Sequence, residues 1–234
     1  MKRINSIIAA VASLLIAASC VDELEKEGAF HGEAVTYKAV AEGTDTKAVL
    51  GTDESGRTQS MWENGDQITI HNGISGYEFT TSASDGSPIA EFVYEGDDFT
   101  AENGVIAIYP AGDYTVDMEN LTAMISIPKH QVAVAGSYDR TAVPSVAYSV
   151  EKSLYFRNMG GLIKFNMNMD DVATVRFSAN GAVITGTYYA QFDNGNVSYN
   201  YIPDVEEYNY DYVELSAPAG QTFQKGSEYY ISVM

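Results

Sequence analysis

Hydrophobic positions along this chain recur every second residue rather than every third or fourth. From about residue 33 onward, short runs rich in Val, Ile, Tyr, Phe and Thr alternate with polar residues, which is the period of a half-buried β-strand. The pattern predicts strands at Val35–Ala41, Gln67–His71, Tyr77–Thr81, Ile89–Tyr94, Val105–Tyr109, Thr122–Ile127 and Leu154–Phe156. Further strands are expected at Leu162–Met167, Thr174–Ala179, Ile184–Phe192, Val197–Tyr201, Tyr208–Leu215 and Tyr229–Val233. Between them stand Asn64-Gly65, Asn72-Gly73, Asp85-Gly86, Asn103-Gly104, Asn180-Gly181 and Asn194-Gly195, dipeptides that reach the positive φ of hairpin turns at little cost. Beyond residue 20, no window of a dozen residues favours helical spacing over alternation. Many short strands must stack or close to bury their apolar faces, so the expected class is all-β with a sandwich architecture.

The first twenty residues break this pattern. Lys2 and Arg3 precede Ile7–Ala18, an apolar run interrupted only by Ser13, and small residues then lead to Cys20, the chain's one cysteine. A spanning helix needs about 20 apolar residues, so the segment reads as a secretory signal. Its ending, Ile16-Ala17-Ala18-Ser19-Cys20, resembles a bacterial lipobox with Ala17 where a branched residue is commoner. That makes Cys20 the expected lipidation site, the alternative being a buried or free thiol. Several acyl arms at about 0.8 kcal/mol per buried methylene give stable anchoring without a spanning helix. Residues 21–32 follow as a tether with four carboxylates between Asp22 and Glu27; like charges keep such a segment extended, and it reads either as a solvated linker or as an acidic export tag.

Charge narrows the function. With 32 acidic against 13 basic residues and a net charge of −19, the chain lacks the basic footprint that nucleic acid demands. One cysteine makes neither a disulfide scaffold nor a thiolate metal centre. His31, His71 and His130 lie in the tether, before a turn and after Pro128-Lys129. Nothing in the sequence sets them beside a nucleophile, and no hydrolase or phosphate-loop motif occurs. The expectation is a protein that is not an enzyme and carries no cofactor. Asp97-Asp98, Asp170-Asp171 and Asp193-Asn194 offer oxygen ligands, but none has the spacing of a calcium loop, and turn chemistry accounts for them, so no metal is expected.

Two aromatic features remain. Trp62, the only tryptophan, precedes Glu63-Asn64-Gly65-Asp66 and a strand with alternating Ile68 and Ile70; it reads as a core aromatic with Asp66 capping the turn, or else as a ligand-stacking ring. Tyr199, Tyr201, Tyr208, Tyr210 and Tyr212 crowd together, and Tyr208, Tyr210 and Tyr212 alternate along one strand face. That stripe reads as cross-strand packing, as contact with a neighbouring subunit, or as a platform for glycans.

Read in order, Thr46-Lys47-Ala48, Trp62-Glu63-Asn64-Gly65-Asp66-Gln67-Ile68, Tyr109-Pro110, Ile127-Pro128 with Gln131, Leu154-Tyr155-Phe156, Gly161-Leu162-Ile163-Lys164-Phe165 and Tyr229-Tyr230-Ile231-Ser232-Val233 resemble the fimbrillin family of lipoproteins. The resemblance implies two transthyretin-like β-sandwich domains in tandem. The first would span residues 33–168 and the second begin at 169–234, incomplete in this chain; the residues themselves, a strand, the break Gly160-Gly161 and another strand, read as a hinge between two sandwiches. It also implies a surface-exposed pilus subunit or accessory protein, held in the outer membrane by the lipid on Cys20. Its partners would be other fimbrial subunits and host or bacterial surface receptors or glycans. The alternative function is a glycan-binding surface lipoprotein.

In that family a protease cuts after a basic residue, the first strand departs, and a neighbour's strand takes its place. Basic residues fall in a matching way: none occurs from Thr58 to Pro128 or from Phe177 to Gln224, whereas Lys38, Lys47 and Arg57 punctuate the start. Arg57, in the polar stretch Asp53–Thr58, is the expected processing site and Lys47 the second choice. Scarcity of Lys and Arg also follows simply from an acidic composition.

Overall fold

The computed structural model describes residues 34–42, 49–52, 58–83, 86–202 and 209–234. Contacts divide the chain into two units, Met1–His31 and Gly32–Met234, and all that follows concerns the second. Its strands in the first half are β1 (Val35–Val40), β2 (Val49–Thr52), β3 (Thr58–Met61), β4 (Gln67–His71), β5 (Gly76–Thr81), β6 (Ile89–Tyr94), β7 (Val105–Tyr109), β8 (Val116–Asp117), β9 (Thr122–Ile127) and β10 (His130–Val132). A 3₁₀ turn, Arg140–Ala142, precedes β11 (Ser145–Ser149), β12 (Ser153–Tyr155), β13 (Arg157–Asn158), β14 (Gly161–Asn166) and β15 (Thr174–Ser178). The last strands are β16 (Thr185–Asp193), β17 (Asn196–Tyr201), β18 (Asn209–Tyr210), β19 (Tyr212–Ser216) and β20 (Glu228–Val233). The class is all-β.

An eight-stranded sheet runs β12-β1-β6-β5-β4-β7-β11-β13, antiparallel except where β1 lies parallel to β12. Its inward side chains form a first core in which Trp62, 2 % exposed, meets Phe92, Tyr109 and Phe156 edge-on, with ring centroids 5.0, 5.3 and 5.3 Å away. Such T-shaped pairs add about 0.5–1.5 kcal/mol each beyond burial. Strand β7, Val-Ile-Ala-Ile-Tyr, is buried throughout: Val105, Ala107 and Tyr109 enter the first core, while Ile106 and Ile108 face the other way. There a second core forms against the sheet β17-β16-β9-β8, with Ile125, Ile127, Tyr188, Ala190 and Phe192 opposite. A third core lies between the pair β14-β20 and the sheet β10-β19-β15.

Strands on either side of residue 168 are joined by three ladders, β9–β16, β10–β19 and β14–β20. The division expected at 168/169 therefore does not coincide with a break in hydrogen bonding. The apolar faces of β9 and β10 find their mates only downstream, which no local signal reveals. The glycine break at Gly160-Gly161 is likewise a point of close approach: Gly160 has φ +79°, and a Cβ there would stand 2.1 Å from the Val233 carbonyl oxygen.

Candidate functional site

The third core is closed on one flank and open on the other. On the closed flank, Gln131, 2 % exposed, turns its side-chain amide onto the outer edge of β20. Its Nε2 donates to the Ser232 carbonyl at 2.8 Å, and its Oε1 accepts from the Ser232 N–H at 2.9 Å. A side chain there substitutes for a strand, satisfying backbone groups that burial would otherwise leave unpaired. On the open flank, β14 pairs only with β20 and β15 only with β19 among the described residues. Ile163 and Phe165 stand opposite the buried Ile231 and Tyr229, and Val175 and Phe177 opposite the buried Leu215 and Val213. Residues directly across a ladder share a face, so all four lie on the core side of their strands, and Phe165 and Val175 pack against the third core. Yet Ile163, Phe165 and Val175 are only half-buried and Phe177 is 37 % exposed. Two strand edges carrying inward apolar side chains that are incompletely covered make a template for another strand.

The strand expected over Tyr208–Leu215 is divided: Tyr210 belongs to β18, which pairs with β16, and Tyr212 to β19 of the three-stranded sheet. Tyr210 and Tyr212 meet edge-on with centroids 5.6 Å apart. The Lys129 ammonium lies 3.7 Å from the centre of the Tyr210 ring, and the Arg176 guanidinium 3.6 Å from that of Tyr212. The Tyr210 hydroxyl holds the Lys129 pKa above its ordinary value. One row along, Glu214 bridges His130 Nδ1 at 3.1 Å and Arg176 Nε at 3.5 Å. A cation covers one face of each ring, so a sugar stacking on that face would first have to displace Lys129 or Arg176.

Of the remaining residues singled out by sequence, Cys20, Lys47, Arg57 and Tyr208 lie outside the described residues. Arg57 is the position immediately before β3, which pairs with β2 as an antiparallel hairpin. Trp62 is a core aromatic, and Asp66 caps its turn by accepting the Glu63 N–H at 2.8 Å. Sequence did not show that Arg140, far downstream, clamps both Glu63 and Asp66. Asp66 is nearly enclosed there, with Tyr109 and Tyr138 close by. Burial pushes both phenols well above the ordinary tyrosine range. Among the described residues, no group of three or more His, Cys, Asp or Glu is placed to hold a metal ion.

One site escaped the sequence reading. On the outer face of β4 and β5, Thr69, His71, Gly76 and Glu78 form a cup of about 310 Å³ walled by Gly112–Tyr114. Thr69 Oγ1 donates to the Gly112 carbonyl and accepts its N–H, both at 2.9 Å, and the Tyr114 hydroxyl donates to the Pro110 carbonyl at 2.6 Å. The signal was present: Thr69 and His71 alternate with the inward Ile68 and Ile70, and the Asn72-Gly73 turn folds Gly76 back beside them.

Compared with known proteins, the sequence matches no family model, no curated protein and no solved structure.

Proposed function

We propose that the chain is a surface-anchored structural subunit of fimbrillin type, tethered through a lipid on Cys20 and joined to its neighbours by exchange of β-strands, with adhesion as its role. The tandem transthyretin-like arrangement belongs to this reading. The observation that carries it is the place of β1. That strand is the part of the chain upstream of the Arg57 stretch that enters the main sheet, where it sits between β12 and β6 in register with Ser153–Tyr155 on one side and Ile89–Tyr94 on the other. It contributes Tyr37 and Ala39 to the first core. A cut after Arg57 would sever β1 and β2 from everything downstream. Departure of β1 would then leave a slot one strand wide, edged by ladder groups and floored by apolar residues. A neighbour's strand with alternating apolar residues would restore both sets of interactions, giving high affinity without a new pocket. The half-covered flank at β14 and β15 offers a second place for such a strand.

N-terminal sequencing of the assembled surface material tests the reading. Assemblies should start at Thr58, or at Ala48 if Lys47 is the cleaved residue, and the double variant Lys47→Ala/Arg57→Ala should remain unassembled with its start at Cys20. Polymers built from chains that still begin at Cys20 would refute strand departure.

A further inference from the structure

We propose that the cup on the outer face of β4 and β5 binds a neutral, hydroxyl-rich sugar unit, and that the adjoining trough on β5 and β6 takes the next unit of the same saccharide. The cup, about 310 Å³, and the trough, about 420 Å³ and lined by Thr80, Ser82, Val93 and Glu95, share Glu78 as a common wall. Both fall in the volume range of small-ligand sites, and the cup is the more polar of the two. Its floor is kept open by one residue. Gly76 has no side chain, and a Cβ there would come within 2.8 Å of His71 Nε2 and 2.9 Å of Cε1.

The chemistry of the lining selects the ligand. His71 Nε2 is buried and has no hydrogen-bond partner among the described residues, an unmet capacity of the kind that normally finds a partner. Burial lowers the His71 pKa, so near neutral pH the ring is uncharged and offers one N–H donor and one acceptor. A hydroxyl, which both donates and accepts, matches such a ring. Glu78 and Asp113 add carboxylate acceptors for sugar hydroxyls; Gln67 Nε2 occupies one oxygen of Glu78, leaving that carboxylate further acceptor positions. Tyr114, locked through its hydroxyl, supplies an apolar wall for the C–H face of a pyranose. No lysine or arginine lines the cup or the trough, and the three carboxylates of Glu78, Asp113 and Glu95 repel anions, so sulfated or carboxylated sugars do not fit. The cup stands on β4 and β5, while the trough borders the β1 slot through Val93, the ladder partner of Thr36; the titration below uses the chain with β1 in place, so its outcome does not depend on strand exchange.

The test is titration of the purified full chain with neutral glucan, mannan, galactan and chitin tetrasaccharides, read from the imidazole resonances of His71 and by calorimetry. At least one should shift the His71 signals. Gly76→Val, which fills the floor, and Glu78→Gln should each weaken that binding about tenfold or more with the melting temperature preserved, and Tyr210→Ala should leave it unchanged. Should Gly76→Val unfold the chain, Glu78→Gln and Asp113→Ala decide. The proposal is overturned if none of the four binds at about 10 mM, if binding survives these substitutions, if Tyr210→Ala abolishes it, or if only polylysine, added as a cationic control, occupies the cup.

Discussion

Gly160 and Gly161 are neighbours with the same side chain and unlike duties. Gly160 lies in the left-handed region and passes under the Val233 carbonyl, whereas an added Cβ at Gly161 meets nothing within 4 Å. Gly160→Ala should therefore cost upwards of about 3 kcal/mol through strain and steric overlap. Gly161→Ala should stay within about 0.5 kcal/mol, and denaturant melts of the two variants measure the contrast. Sequence marked both positions as a break but could not rank them, because the difference lies in the last strand of the chain. Trp62 was legible for the opposite reason. An aromatic just before an Asn-Gly turn and an Ile-x-Ile strand already has its core on one side, and the structure adds only which rings it meets. The Arg140 clamp on Glu63 and Asp66 was illegible, since nothing near Arg140 points to a turn so far upstream.

At the scale of elements, strands with strong local pattern were found at their observed bounds: β4, β6, β7 and β9 coincide with the alternating or continuous apolar runs. Those missed, β2, β3, β8, β10, β11 and β13, are short or lie beside proline and glycine, and they owe their extended form to a partner rather than to composition. Strand β10 shows the reason plainly, for its mate in a parallel ladder is β19, near the far end of the chain. The alternation set Tyr210 and Tyr212 on one strand, whereas they belong to β18 and β19 in different sheets, and the cations laid over both rings had no signal in the sequence. The β14 and β15 edges carry a prediction of their own. A charge on an edge strand discourages pairing with another chain. Phe177→Lys, at a 37 % exposed position, should change the unfolding free energy of the isolated chain by no more than about 1 kcal/mol while reducing assembly on cells. Thermal melts and electron microscopy of surface material read the two effects separately.

For the whole molecule, the tyrosines set a limit in alkali. Burial raises the pKa of Tyr114 and of Tyr188 to about 12 and lifts Tyr109, Tyr138 and Tyr199 as well. Below pH 10 these phenols are protonated both folded and unfolded, so they add no pH dependence. Above it the unfolded chain ionises while the folded one resists, and stability falls as pH rises through the raised values. Each fully buried tyrosine contributes at most about 1.4 kcal/mol per pH unit. Absorbance near 295 nm should hold back a late fraction of tyrosinate, that of these buried phenols, until β-sheet circular dichroism is lost.

Strand β7 serves as a party wall, plastered on both sides by different sets of side chains. Neither chamber keeps its lining once that wall moves, so melting of the first two cores has to be a joint event. Calorimetry should record them as one endotherm, and Ile108→Ala, which empties space only on the far side, should lower the temperature at which Trp62 fluorescence changes on the near one.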